Sequence, residues 1–186
     1  MMRLLLGAVL AGVVQFLWGF VFWTALQPML NMMGRMPEEE RVVQVLRDVK
    51  PETNVYFLPW PGGTPEEQES MMQRHQEGPL VQIIYQSQGQ PAMDPKLFLL
   101  GYLHMVGMCL LAGILLCLAG PGLNGYLARY LFVVLLGVFA AFALNLAQPI
   151  WFHHPWRFQL LHSIFDVGNW VLGGLVLAAF VRRSDS

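Results

Sequence analysis

His162, Asp166 and Asn169 are spaced i, i+4 and i+7, so on a helix an imidazole, a carboxylate and an amide share one face. They lie in an apolar run, Phe158 to Val181, whose one acid is Asp166. At the α-helical rise, Asp166 sits about 12 Å in from the start of that run. A carboxylate at such depth in hydrocarbon is costly, so it should face other protein and have a partner. Protonated His162 is one such partner, and a carboxyl kept neutral by desolvation is the other way out. Asn145, Gln148, His104 and Gln27 fall at similar depth in the other apolar runs. Together these side chains predict a polar intramembrane pocket. Two roles stay open for it: binding a small polar molecule, or tying the helices together through hydrogen bonds.

The imidazoles also admit metal chemistry. His104 and His162 stand one or two turns inside different runs, a placement that suits axial ligation of a b-type haem. No arginine is placed for the propionates. Met29, Met32, Met33 and Met36 recur at i, i+3, i+4 and i+7, and Met71, Met72 and His75 fall together further on. With His153 and His154, these thioether and imidazole groups suit Cu(I). The same methionine stripe equally suits packing or lipid contact. Trp151 and Trp156 flank an aromatic loop and read as interfacial anchors, while Trp60 in a Pro-Trp-Pro turn reads as an anchor or a partner contact. Ser163 adjoins His162, but neighbouring helix positions point apart, so the two form no nucleophile–base pair. There is no P-loop, no Gly-rich dinucleotide fingerprint, no HExxH and no GxSxG.

The elements that must position these groups are membrane spans. Hydrophobic residues make up 55% of the 186-residue chain and charged residues 12%, about half the usual charged share of a soluble domain. The mean hydropathy is +0.48. A net charge of −1 without a basic patch excludes a nucleic-acid partner. Four runs are long enough to cross ~30 Å of hydrocarbon: Leu4 to Leu30, Leu97 to Ala119, Tyr130 to about Ile150, and Phe158 to Val181. The first is too long for a cleaved signal peptide, and Trp18 and Trp23 stand where small residues would be needed. Asp94-Pro95 supplies an N-cap and a first-turn proline for the second span, and Gly120-Pro121-Gly122 ends it. Cys109 and Cys117 lie about 12 Å apart along that helix, too far for a disulfide. Small residues recur four apart as Gly7/Ala11, Ala8/Gly12, Cys109/Gly113, Gly137/Ala141 and Gly174/Ala178, which favours close helix approach in a bundle.

The fold class expected is therefore an α-helical integral membrane protein. A first transmembrane helix (residues 1–35) precedes a small α/β extracytoplasmic insert (36–95), and helices 2–4 (96–186) complete a four-helix bundle. Arg3, Arg129, Arg182 and Arg183 share the side of the termini, whereas only Arg157 lies in the loop between spans 3 and 4. By the positive-inside rule both termini are cytoplasmic. All five histidines, and every methionine beyond the first two residues, then fall in the insert or towards the opposite rim. In the insert, Val42, Val45, Leu46 and Val49 give a helical face behind Pro37 and three glutamates. Asn54 to Leu58 reads as a strand, Thr64-Pro65 with Glu67 as a capping box for a second helix ended by Gly78, and Leu80 to Gln86 as a second strand. About sixty residues make a marginal core, so the insert is expected to lean on the spans or on a partner.

The layout of Trp18-Gly19 in the first span, an outer helix, the strand Asn54 to Pro59, the segment Gly78 to Tyr85 and three further spans resembles a family of small four-span bacterial inner-membrane proteins of unknown function. The resemblance implies the architecture and a bacterial inner-membrane location, and it carries over no catalytic residues. The sequence thus predicts a non-enzymatic accessory or assembly protein, held in the lipid bilayer, whose outer face contacts a membrane-protein partner or another copy of itself. The alternative is a haem b or copper binding protein at that face.

Overall fold

The computed structural model describes residues 1–27 and 32–181. Four of its helices are long and apolar enough to cross a membrane. Span 1 is helix α1 (Met2–Phe20) continued by a π-helical turn, Val21–Ala25. Span 2 is α4 (Pro95–Ala119), span 3 is α5 (Tyr126–Leu144) followed by the short α6 (Ala147–Phe152), and span 4 is α7 (Trp156–Phe180). The expected end of span 1 at Leu30, together with Met29, Arg182 and Arg183, lies outside the described residues.

The spans are antiparallel neighbours in the order 2–1–4–3, and spans 2 and 3 meet only slightly. Their shared core lies towards the end that carries the termini, where Ala8 and Ala11 meet Cys109, Ala112, Leu116, Val133, Leu177 and Val181. The small-residue pairs supply the close approach. Every member of the five pairs is buried. An added Cβ at Gly12 would come within 2.7 Å of Val106, and one at Gly137 within 2.4 Å of Trp170. Glycine at these crossings lets the helix axes approach and gather dispersion contacts that lipid would otherwise make.

Two spans depart from regular α-helix towards the end from which the insert leaves. In span 1 the Leu26 amide bonds Val21 O instead of the carbonyl four residues back, and the Thr24 hydroxyl donates to Phe20 O. In span 3, which starts four residues before the expected Tyr130, the helix breaks at Asn145-Leu146. The cause is Pro149, whose ring clashes with the carbonyl of Asn145 and which has no N–H to offer it. The amides of Leu146 and Gln148 turn to Ala141 O and Asn145 O in place of Phe142 O and Leu144 O.

The insert (35–92) is a separate compact unit. Helix α2 (Glu39–Val49) starts two residues after Pro37, because Glu38 takes a left-handed conformation. Strand β1 (Asn54–Leu58) pairs antiparallel with β2 (Val81–Tyr85), Tyr56 opposite Ile83, and the ladder is extended by Thr53 and Ser87. Between them α3 (Pro65–Glu77) carries the expected capping box: Thr64 Oγ1 accepts from the Glu67 amide, and Glu67 Oε2 accepts from the amides of Gly63 and Thr64. The two backbone donors hold the Glu67 carboxyl below its ordinary 4.5.

Of the methionine stripe, Met29 lies outside the described residues, Met32 is helical, and Met33 and Met36 are not. The span 1 helix has ended by Gln27, which is left-handed at φ 45°, and Met33 to Met36 run through a bend and irregular chain. Pro28 disfavours helical geometry at Gln27.

Candidate functional site

Span 4 presents the predicted stripe, and each of its members is met by a different neighbour. Asn145 Nδ2 donates to Asp166 Oδ2 over 2.7 Å, joining spans 3 and 4 at the point where span 3 breaks. One turn towards the insert end, the His162 ring lies against Trp23 at 5.2 Å and Phe158 at 4.6 Å between ring centres, and its Nε2 is buried with no hydrogen-bond partner. Trp23 is brought there by the π-turn, which also buries Phe22 against Phe165 and Trp18. Trp18 Nε1 donates to Phe165 O over 3.1 Å.

One turn the other way, Asn169 is buried and its Oδ1 has no partner. Its backbone oxygen accepts from Gln15 Nε2 at 3.2 Å, and Gln15 Oε1 accepts from the Cys109 thiol at 3.2 Å. Gln15 is fully buried, so its amide bonds spans 1, 2 and 4 together. Gly173 makes room for it, since a Cβ there would stand 2.7 Å from Gln15 Nε2. An unpaired amide at this depth would cost several kcal/mol, and the protein meets that cost with two neighbours of small volume.

Of the residues expected in the pocket, Asn145 and Asp166 bond one another and His162 and Asn169 flank Asp166 by one turn on either side along span 4, whereas Gln148, Gln27 and His104 do not join them. Gln148 is half-buried, and its backbone oxygen receives the His154 amide. Gln27 is exposed beyond the helix end. His104 is exposed on span 2, which lies against span 1, so His104 and His162 are not brought together as a ligand pair. Gln15 and Cys109 are the members that sequence reasoning missed. The signal was present: Gln15 is one of three polar residues in span 1 and falls at the helix position that Gly12 and Gly19 share.

The other candidate ligands are dispersed. Met71 is half-buried and Met72 and His75 are exposed on α3 of the insert. His153 is exposed in a left-handed position after α6, and His154 Nδ1 lies 2.9 Å from Gln159 Nε2. Among the described residues no three His, Cys, Asp or Glu side chains gather as a metal site. Ser163 Oγ is committed to Gln159 O at 2.9 Å. Trp60, Trp151 and Trp156 are all exposed. At the end bearing the termini, Arg129 Nε donates to Ala178 O at 3.0 Å, a cation on the carbonyl end of span 4.

Fold and site together define a four-helix candidate membrane protein with a polar seam between spans 1, 3 and 4 and a small α/β insert. No protein-family model matches the chain, no curated protein is significantly similar to it, and no solved structure shares its fold at a significant level.

Proposed function

We propose that the protein is a non-enzymatic accessory or assembly subunit of a bacterial inner membrane, with cytoplasmic termini and an extracytoplasmic insert that docks a partner. The observation that carries this reading lies in the insert. Its second helix is capped and its strands are paired, yet no residue from 35 to 92 is buried. Ile84, mid-strand and paired with Val55, is 81% exposed. Two strands without a covered face are marginal in water, so an apolar partner surface is what completes such a unit. Val45 and Val49 on α2 and Trp60 at the turn after β1 extend the apolar surface.

The partner we propose is a membrane-associated protein with a basic rim around an apolar patch. The insert carries nine acids and five bases, a net charge of −4. Two copies would repel one another, whereas a basic partner is steered to it. The arginines at positions 3, 129, 182 and 183 support the orientation. The bundle's polar groups support a non-enzymatic role, because Gln15, Cys109, Asn145 and Ser163 are spent on bonds within and between spans.

The test is photo-crosslinking from position 84 and from position 60 in intact cells, followed by extraction at rising salt. The expected product is one heterologous adduct, from a protein of basic surface, whose uncrosslinked complex dissociates as salt rises. A product containing only this chain, or none from either position, contradicts the reading.

A further inference from the structure

Asp166 is the one acid in the four spans, and among the described residues its only hydrogen bond is the amide of Asn145. Among the described residues it forms no ion pair. A neutral amide does not balance a full negative charge in a medium where an unpaired ion costs several kcal/mol. The surroundings are rich in oxygen. Asn169 Oδ1, one turn along the same face, is buried in a residue only 4% exposed and has no partner. The Asn145 amide that donates to Asp166 carries a carbonyl oxygen of its own. Beside it the helix break withdraws the amides of Leu146 and Gln148 from the carbonyls of Phe142 and Leu144. Irregular backbone at membrane depth persists where it lines a site inside the protein. The second irregular segment, the π-turn, reaches the same two turns of span 4 through Trp23 and His162.

We infer that Asp166, Asn145 and Asn169 form a binding site for a small monovalent cation of the sodium class. One carboxylate among neutral oxygens is a hard-ligand set. A single positive charge brings it to neutrality, and a divalent ion would leave an excess charge buried. One turn from Asp166, Trp23 and Phe158 pack on the His162 ring and Phe165 packs on Trp23. This inference is independent of the docking role.

Thermal unfolding of the full-length protein in detergent, with sodium chloride exchanged for choline chloride at constant ionic strength, tests it. The wild-type midpoint is expected to rise saturably by several degrees with sodium, and Asp166→Asn to lose that rise. Should Asp166→Asn fail to fold, retention of radioactive sodium by the wild-type protein gives the answer, with lithium expected to displace it and choline not. Equal midpoints in sodium and choline together with no retained sodium overturn the site. So does a sodium rise that survives in Asp166→Asn, or stabilisation by acid alone with no response to sodium, which would assign the charge to a proton.

Discussion

Asn145 donates its side-chain amide to Asp166 Oδ2 over 2.7 Å from the residue at which span 3 breaks. The break and the bond meet at one residue. Pro149 removes the helical partner of the Asn145 carbonyl, while Asn145 keeps its own amide bond to Ala141 O, so its side chain leaves span 3 at the last regular position before the break. An acid that would be expensive in lipid is thereby tied to the neighbouring span.

Asn145→Ala and Asp166→Ala should therefore couple. Interspan hydrogen bonds measured by double-mutant cycles average about 0.6 kcal/mol and reach about 1.7. A coupling towards the upper value is expected here, because the acceptor is a carboxylate. Reversible unfolding in mixed micelles of both single variants and the double variant measures it. Additive losses would show that the bond contributes nothing.

Gly137→Ala and Gly107→Ala should separate cleanly. At Gly137 the new Cβ meets Trp170 at 2.4 Å, while at Gly107 nothing lies within 4 Å. Overpacking costs about 1–3 kcal/mol, so Gly137→Ala should lower the unfolding midpoint and Gly107→Ala should leave it in place.

Thiol reactivity should follow burial. Cys109 is fully buried and bonded to Gln15, whereas Cys117 is exposed near the end of span 2. A membrane-permeant maleimide should modify one thiol per folded chain, lost in Cys117→Ser, and two after denaturation. Fast labelling of Cys109 in the folded protein would contradict the span 1 to span 2 packing.

The Glu67 capping bonds predict a pH response in the insert. The folded carboxyl sits below its ordinary 4.5, so the ionised form is favoured in the folded state. Its contribution is complete above the ordinary value and fades as pH falls through the lowered one. Amide exchange at Gly63 and Thr64 should accelerate across that window, and Glu67→Gln should flatten the response.

The spans, the capping box, the strand pair and the five small-residue pairs were legible because each rests on local chemistry or on period. Gln15 was harder to place. A single glutamine in an apolar run looks the same whether it faces lipid or bonds two other helices, and only the packing of Gly173 and Cys109 around it decides. The span 3 break was half legible: Pro149 stands near the expected end of the run at Ile150, but its clash acts one turn earlier, at Asn145. His104 was misjudged for a related reason. Depth along a helix can be counted from the sequence, but the face that meets a neighbour depends on which spans adjoin, and span 2 lies against span 1. The Met29 to Met36 spacing was periodic, but Met33 and Met36 lie in a bend and in irregular chain.

The most direct measurement for the central claim is hydrogen–deuterium exchange across residues 81–85 and 39–49, compared between native membranes and the purified monomer. Amides of β2 and α2 are expected to be strongly protected in the membrane and to exchange freely once the partner is stripped away. Equal protection in both states would mean that the insert completes its own fold, and the docking role would fall.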